Sequence, residues 1–339
     1  MFSVVKDFDS KMNILLLLHH RFKLWQLPEW FVEKLRKDFP DSTIAYRDNY
    51  DDVEQVLRDA EIVLTLNLRP DQFKAAKKLK WIHCPAAAVH QLIFPELVNN
   101  DVVLTNGARV HGAAVAEHVI ALVLALSKNL HLDMRYQAKS VWAQEQVWYA
   151  RPHPRMVAGA TIGLVGLGEI GRGVAKHAAA LGMHVIATRE HPEKGSPEGV
   201  SEVLPSSQLD SLLERSDYVV LAAPVTSTTH ALINRERLAK MKPEACLINV
   251  GRGQLLDEDA LIAALKDHKI GGAALDVFNQ EPLPKDSPFW SMENVLISPH
   301  TGGLEEKLWE RQYDLFSENI RRYTAGQPLL ALVNKQNGY

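Results

Sequence analysis

The chain has 339 residues, 46% of them hydrophobic and 23% charged, with 38 Lys+Arg against 41 Asp+Glu and a net charge of −3. That length is about two domains' worth, and the apolar and charged fractions exclude disordered, collagen-like and disulfide-scaffold classes. The near-neutral balance leaves no basic footprint for nucleic acid, and the two cysteines, Cys84 and Cys246, form no CxxC pair, which argues against disulfide stapling and structural zinc and for a reducing compartment.

From the N-terminus, the apolar run Ile14 to Leu18 is too short for a signal segment or a membrane span and predicts a first strand within NILLLL. EWFVEKLRKDF predicts an amphipathic helix, STIAY a strand, DDVEQVLRDA a second helix, and EIVLTL, KWIHC and VVLTN further strands. The stretch AAVAEHVIALVLAL, from Ala113 to Leu126, carries Glu117 and His118 and falls short of the roughly 20 residues a bilayer needs, so it reads as a buried helix. SVWAQEQVWYARPHPR then reads as a surface connection. A second series of strands follows at TIGLVG, HVIAT, YVVLAA, CLINV, GGAAL and NVLIS, with DEDALIAALKDH as a helix among them. Leu304 to Tyr323 reads as a closing helix with no strand after it. Short apolar runs without alternation suit strands buried on both faces, so the class is α/β, doubly wound. There is no internal repeat or low-complexity tract. The expectation is a cytoplasmic protein with no membrane segment and no nucleic-acid partner.

TIGLVGLGEIGRG holds a GxGxxG at Gly166, Gly168 and Gly171, with Glu169 and Ile170 between the last two glycines. The motif follows a strand and opens a helix, the context in which such glycines let backbone and a helix N-terminus approach a pyrophosphate. It fails as a Walker A loop, because Arg172 and Gly173 stand where Lys and Ser/Thr belong. A carboxylate ending the next strand would select NAD. HVIAT runs instead into Thr188 and Arg189, with Glu190 after them and Lys194 further on. A guanidinium there can pair with a 2′-phosphate, which favours NADP; a one-residue shift would put Glu190 in place and restore NAD.

The C-terminal half carries three further pieces. LINVGRGQ sets Arg252 between two glycines directly after a strand, placed to grip a carboxylate. GGAALDVFNQEPLP carries Asp276 at a strand end and Glu281 before a proline. NVLISPHTGG puts His300 just after another strand, where a general acid/base with a neighbouring carboxylate would serve.

Taken together, GLGEIG, INVGRG, ALDVF-x-x-EPLP, SPFW-x-x-ENVLISPH and TNG-x-x-x-HG-x-x-x-AEH resemble the D-isomer-specific 2-hydroxyacid dehydrogenases, over about residues 60 to 325. The resemblance implies a flavodoxin-like substrate-binding domain made of residues 1–108 and 304–339, with a Rossmann cofactor domain, residues 109–303, inserted between its parts. It implies a homodimer packed through the Ala113–Leu126 helix and the segment after it. It also implies that Arg252 holds the substrate carboxylate and polarises the C2 carbonyl, that His300 donates a proton to that carbonyl, and that Glu281 pairs with His300. Asp276 would bind the nicotinamide carboxamide. Ala222 to Pro224 would line the nicotinamide ribose, and Val250, ahead of the Gly-Arg-Gly turn, would join the cofactor set. The formate dehydrogenase branch has Gln where Glu281 stands, so a Glu here points to a keto-acid reductase.

The family's substrate loop usually reads small-GVD, with backbone N–H groups holding the carboxylate. Here it is Ala86-Ala87-Ala88-Val89-His90, which narrows the loop's allowed φ/ψ, and a His in place of the Asp puts either an extra titratable group near the loop or a different structural hydrogen bond at His90. The loops after NILLLL (His19, His20, Arg21, Phe22) and after EIVLTL (Asn67, Leu68, Arg69) are further candidates for the side-chain pocket. The expected activity is NADP-dependent reduction of small 2-oxo acids such as glyoxylate or hydroxypyruvate. An NAD-dependent phosphoglycerate-dehydrogenase-like enzyme is the runner-up, and a nucleotide-sensing corepressor-type binding module is the reading from another class.

Overall fold

The computed structural model describes residues 12–338. The chain divides into two compact units, one of the described residues up to His111 together with those from Glu305 onward, the other of Gly112–Leu304. Each contains its own parallel sheet.

In the first unit five strands, β1 (Asn13–Leu17), β2 (Thr43–Arg47), β3 (Ile62–Thr65), β4 (Trp81–Cys84) and β5 (Val103–Asn106), lie in the order β2-β1-β3-β4-β5, and every pairing is parallel. This is the flavodoxin-like order, with its switch between β1 and β3. The unbroken apolar run of β1 has its cause in two-sided burial. Leu15 and Leu17 pack with Val63, Ile82 and Leu104 on one face. Ile14, Leu16 and Leu18 pack on the other with Ile62, Leu64, Trp81 and three residues of the last helix (Leu308–Thr324), Tyr313, Phe316 and Ile320. Each such fully buried side chain contributes about 1.5–3 kcal/mol of transfer free energy. The helix starts at Leu308, four residues later than the apolar pattern suggested, because the chain from Gly302 to Lys307 is turn and loop. Beyond it the chain runs antiparallel to β5: Val333 N–H donates to the Leu104 carbonyl at 2.9 Å and Asn106 N–H to that of Ala331 at 3.0 Å.

The second unit has seven strands, β6 (Thr161–Val165), β7 (His184–Arg189), β8 (Glu202–Pro205), β9 (Tyr218–Leu221), β10 (Cys246–Asn249), β11 (Gly272–Leu275) and β12 (Val295–Ile297). Their order is β12-β11-β10-β9-β6-β7-β8, parallel throughout, which is the Rossmann order extended by one strand. β8 had no counterpart among the apolar runs of the sequence. It is an edge strand with one buried residue, Leu204, and it ends in a proline that an interior strand could not accept.

The helix read as Ala113–Leu126 extends from Ala108 to Ser127. At 20 residues it is long and apolar enough by length and composition to cross a membrane, yet 56% of its apolar window is buried inside the protein. Val115, Ala116, Val119, Leu122, Val123 and Leu126 recur at helical spacing and share a core with Ile162, Leu164, Val174 and Ile248. Gly112, inside this helix, has a contact reason: a Cβ there would lie 2.9 Å from Glu169 Cβ.

Candidate active site

The residues singled out in the sequence of the second unit all lie at the carboxyl ends of its strands, the edge where open α/β sheets bind ligands. After β6 the chain turns through Gly166, φ +102°, a left-handed conformation that suits glycine. A Cβ on Gly166 would sit 2.8 Å from the Ala222 carbonyl oxygen, and one on Gly171 would sit 2.3 Å from that of Gly166. A Cβ on Gly168 would meet no protein atom within 4 Å. Two glycines are therefore demanded by the protein's own packing, and the third leaves open space at the N-terminus of the helix Glu169–Ala180. That arrangement suits a pyrophosphate, whose charge the helix N-terminus favours. Glu169 and Ile170 form the first turn of this helix, with Glu169 paired to Arg172.

β7 ends on Arg189, and Glu190 lies beyond the strand. The Arg189 guanidinium reaches across the following loop to the Gly195 carbonyl at 3.4 Å. After β9, Ala222 N–H donates to the Val165 carbonyl at 2.9 Å, which places Ala222–Pro224 beside the glycine turn. Val250 follows β10 and is buried, its N–H donating to the Leu221 carbonyl at 3.3 Å.

The turn that carries Arg252 is shaped by buried Asn249, whose Oδ1 accepts from Gly251 N–H at 3.1 Å and whose Nδ2 donates to the Arg252 carbonyl at 2.9 Å. Gly253 is glycine because a Cβ there would fall 2.0 Å from the Phe278 carbonyl carbon. Arg252 is half-buried with an extended backbone, and its Nη1 donates to the Gly251 carbonyl at 2.6 Å.

His300 and Glu281 meet directly, with His300 Nδ1 2.7 Å from Glu281 Oε2. An ionised carboxylate only accepts, so the proton of this bond resides on Nδ1 and Nε2 is the ring's remaining nitrogen. The other Glu281 oxygen accepts from Phe278 N–H at 3.0 Å. Burial pushes the Glu281 carboxyl up, but the His300 bond, the Phe278 N–H and the charges of His300 and Arg252 outweigh it and hold the group below its ordinary value. Glu258, which no motif in the sequence marks, lies near enough for the Glu281 charge to act on it. It accepts from Asn279 N–H at 2.7 Å, and burial raises its carboxyl, with Asp259 and Glu281 adding to the rise.

His300 has φ +55°, uncommon for a residue with a side chain. Its N–H donates to the carbonyls of Asp276 at 2.8 Å and Ser298 at 3.0 Å. The Asp276 carboxylate accepts from Ser298 Oγ at 2.6 Å, from Thr301 N–H at 2.9 Å and from Gly302 N–H at 3.0 Å. Asp276 is thus an anchor for the turn that carries His300, a role its strand-end position did not announce. Ser298 and His118, which complete that anchor, stood inside the ISPH and AEH strings, but nothing in their spacing marked them.

In the first unit the loop after β4 has its carbonyls drawn inward. Pro85 O accepts from Gln312 Nε2 at 2.6 Å, Ala86 O from Gly107 N–H at 3.0 Å, and Ala87 O from Asn106 Nδ2 at 2.7 Å. Gly107 permits this, since a Cβ there would lie 2.1 Å from the Pro85 oxygen. Among the described residues the N–H groups of Ala86, Ala87 and Ala88 take no hydrogen-bond partner. Ala88 keeps a negative φ, so alanine at this position adds no backbone strain. His90 is exposed at the head of a short 3-10 turn, His90–Leu92. In the loop after β1, His20 packs against Phe22 and Trp25, with ring centroids 5.5 and 6.4 Å apart, and Trp25 lies 6.2 Å from His111. Arg69, after β3, pairs with Asp71 at 3.3 Å and faces Glu54 at 3.9 Å.

Residues 120–302 match the family model for the NAD binding domain of D-isomer specific 2-hydroxyacid dehydrogenases. The chain is similar to a glyoxylate reductase of Thermofilum pendens, with 34% identity over 88% of this chain and 87% of that one. It is also similar to a D-3-phosphoglycerate dehydrogenase of Methanocaldococcus jannaschii, with 31% identity over 83% of this chain and 53% of that one. A solved structure of an NADPH-dependent glyoxylate/hydroxypyruvate reductase from Sinorhizobium meliloti, in complex with NADP and sulfate, superimposes with a TM-score of 0.81 at 28% identity, covering 97% of this chain and 100% of that one. With the Rossmann sheet and the glycine turn, this family match and this identity place the chain in the D-isomer specific 2-hydroxyacid dehydrogenases, NAD(P)-dependent oxidoreductases that act on 2-hydroxy acids.

Proposed function

We propose that this chain is an NADP-preferring reductase of small 2-oxo acids, glyoxylate or hydroxypyruvate among them, with His300 as the proton donor. The observation that carries this reading is the 2.7 Å bond between His300 Nδ1 and Glu281, with the Arg252 charge acting on the same carboxylate. When bound, the reduced nicotinamide supplies the hydride that arrives at the C2 carbonyl carbon. Arg252 pairs with the substrate carboxylate and draws charge onto the carbonyl oxygen. His300 Nε2–H gives its proton to that oxygen, while Glu281, accepting from Nδ1, stabilises the imidazolium beforehand and fixes the ring. For the loop of the first unit we assign the N–H groups of Ala86, Ala87 and Ala88 to carboxylate binding.

The remaining roles concern the cofactor. Gly166, Gly168, Glu169, Ile170 and Gly171 would hold the pyrophosphate, and Ala222, Pro224 and Val250 the nicotinamide end. Asp276 Oδ2 accepts from Gly302 N–H alone among the described residues, which leaves it a lone pair for the carboxamide. The NADP preference rests on Arg189 as the last residue of β7, where its planar fork suits a 2′-phosphate. We further assign the enzyme to the cytoplasm as a homodimer.

The test is a steady-state panel of glyoxylate, hydroxypyruvate, pyruvate, longer 2-oxo acids and 3-phosphohydroxypyruvate, each with NADPH and NADH, run beside His300→Gln. Turnover of the small acids with NADPH is expected, and His300→Gln should lower it by roughly 10²–10⁴ without loss of dinucleotide binding. A preference for the phosphorylated acid with NADH would move the assignment to the phosphoglycerate branch, which the relative of Methanocaldococcus jannaschii represents. No turnover with any acid would overturn the reading.

A further inference from the structure

We propose that His118 is a positioning residue for the proton donor, acting on the His300 turn through Ser298 and Asp276; this rests on His300 as the donor in the function proposed above. His118 projects from the helix Ala108–Ser127, and its Nε2 stands 3.0 Å from Ser298 Oγ and 3.5 Å from Asp276 Oδ1. Ser298 Oγ is itself 2.6 Å from Asp276 Oδ1.

The protons in this chain can be placed. A hydroxyl has one proton and an ionised carboxylate has none. Burial raises the Asp276 carboxyl, but bonds from His118, Ser298 and the N–H groups of Thr301 and Gly302 outweigh it and hold the group below its ordinary value, so it is ionised near neutrality. Ser298 therefore donates its proton to Asp276, and its oxygen can only accept from His118. The imidazole must carry a proton on Nε2, and the direction runs from His118 Nε2–H to Ser298 Oγ–H to Asp276 Oδ1. Successive donors in such a chain polarise one another and share one fixed geometry.

The far end of the relay is the turn with the donor. Asp276 accepts from Thr301 N–H at 2.9 Å and Gly302 N–H at 3.0 Å through its carboxylate, and from His300 N–H at 2.8 Å through its carbonyl. These bonds oppose relaxation of His300 from φ +55°. The turn is drawn tightly onto the network, since a Cβ on Gly302 would fall 2.8 Å from Asp276 Oδ2 and 3.1 Å from His118 Cδ2. Without the His118 proton, Ser298 loses its fixed rotamer and Asp276 loses a constraint on its carboxylate plane. The imidazole then departs from alignment while its bond to Glu281 remains possible.

The experiment uses the full chain with glyoxylate and NADPH. His118→Phe keeps a ring and removes the donor. Its kcat is expected to fall about tenfold, within the cost of a misplacement of an ångström or less, and its KM for NADPH to rise less than kcat falls, because the Asp276 carboxylate keeps its bonds from Thr301 and Gly302. The solvent deuterium isotope effect on kcat should rise, because proton donation becomes the slower step. His118→Gln, whose amide can donate to Ser298, should recover most of the loss. Ser298→Ala cuts the same relay, and it should reproduce the fall in kcat and the larger isotope effect even if His118→Phe does not fold. A histidine with only a structural role would lower the active fraction and leave the isotope effect per active site unchanged. Wild-type kcat and isotope effect in whichever of these two variants folds would overturn the proposal. His300→Gln separates the two levels: unchanged turnover there removes the donor assignment and the relay with it. A large loss there, with His118→Phe and Ser298→Ala like wild type, removes the relay alone.

Discussion

Asp276 carries two charges of responsibility at one carboxylate, and the protonation equilibrium of the group makes this measurable. Its folded-state value is held below the ordinary 3.8 by hydrogen bonds that outweigh burial. A depressed carboxylate contributes stability that is fully present above its ordinary value and is lost as pH falls through the folded one. Asp276→Asn keeps the shape and one acceptor oxygen but removes the charge that binds two backbone N–H groups and a hydroxyl. The variant should be less stable than wild type by about 1–3 kcal/mol at neutral pH. On acidification the gap should begin to narrow near 3.8, where the unfolded chain takes up its proton, and close as the pH falls through the lower folded value, where the native carboxylate loses its charge too. Denaturant melts of both proteins from neutral pH downward measure this, and a gap independent of pH would contradict the anchor. The placement of Arg252 and His300 just past strand ends was legible, because each comes soon after a short apolar run. The anchoring role of Asp276 was not legible, since Ser298, Thr301 and Gly302 come 22 to 26 residues later and meet it only once β11 and β12 are paired, and His118 comes from a helix far earlier in the chain.

At the scale of elements, the strand–turn–helix around β6 separates glycines required by the protein from a glycine required by its ligand. Gly171→Ala would place a Cβ 2.3 Å from the Gly166 carbonyl oxygen, forcing the helix Glu169–Ala180 off the strand. A loss of about 1–3 kcal/mol of stability is expected from such overpacking, together with weaker dinucleotide binding. Gly168→Ala meets no protein atom within 4 Å, and Gly168 has an extended backbone, φ −80° and ψ −155°, that alanine adopts freely. Its melting temperature should match wild type, while its dinucleotide dissociation constant should rise tenfold or more, by about 1.4 kcal/mol or above. Calorimetry with NADPH and thermal melts distinguish the two, and unaltered affinity in Gly168→Ala would contradict pyrophosphate contact at this turn. Two-sided burial explains what could be read of the elements. β1, β6, β9 and β10 are central strands whose unbroken apolar runs announced them. β8 was missed because an edge strand with one buried residue and a terminal proline carries no such run. The helix begins at Ala108, ahead of the apolar run, because its first turn carries Arg109 and His111, which no apolar run includes, and Gly112 is set by its contact with Glu169.

For the molecule as a whole, the balance of 38 basic against 41 acidic residues takes on a specific sense. Anionic substrate and cofactor would be met by a few placed cations, Arg252 and Arg189 first, and the surface is free to serve association. Half of the large hydrophobic side chains exposed among the described residues fall between residues 130 and 156, including Met134 (69% exposed), Trp142 (91%), Tyr149 (70%) and Met156 (73%). Scattered exposed hydrophobics are ordinary, but a concentration of aromatic and methionine side chains on one segment is the composition of an interface core. This segment directly follows the helix Ala108–Ser127, and the homodimer proposed above is expected to cover it with a second copy of the chain. The expected result is a particle of twice the chain's mass in sedimentation velocity at micromolar concentration. Met134→Asp, Trp142→Asp and Tyr149→Asp combined place three charges on this segment without touching a buried core residue, so folding should survive while the mass halves. Charges desolvated in such an interface cost several kcal/mol unless paired, enough to split a dimer of ordinary size. A wild-type chain that sediments as a single copy, or a triple variant that remains paired, would show that this surface does not join two copies.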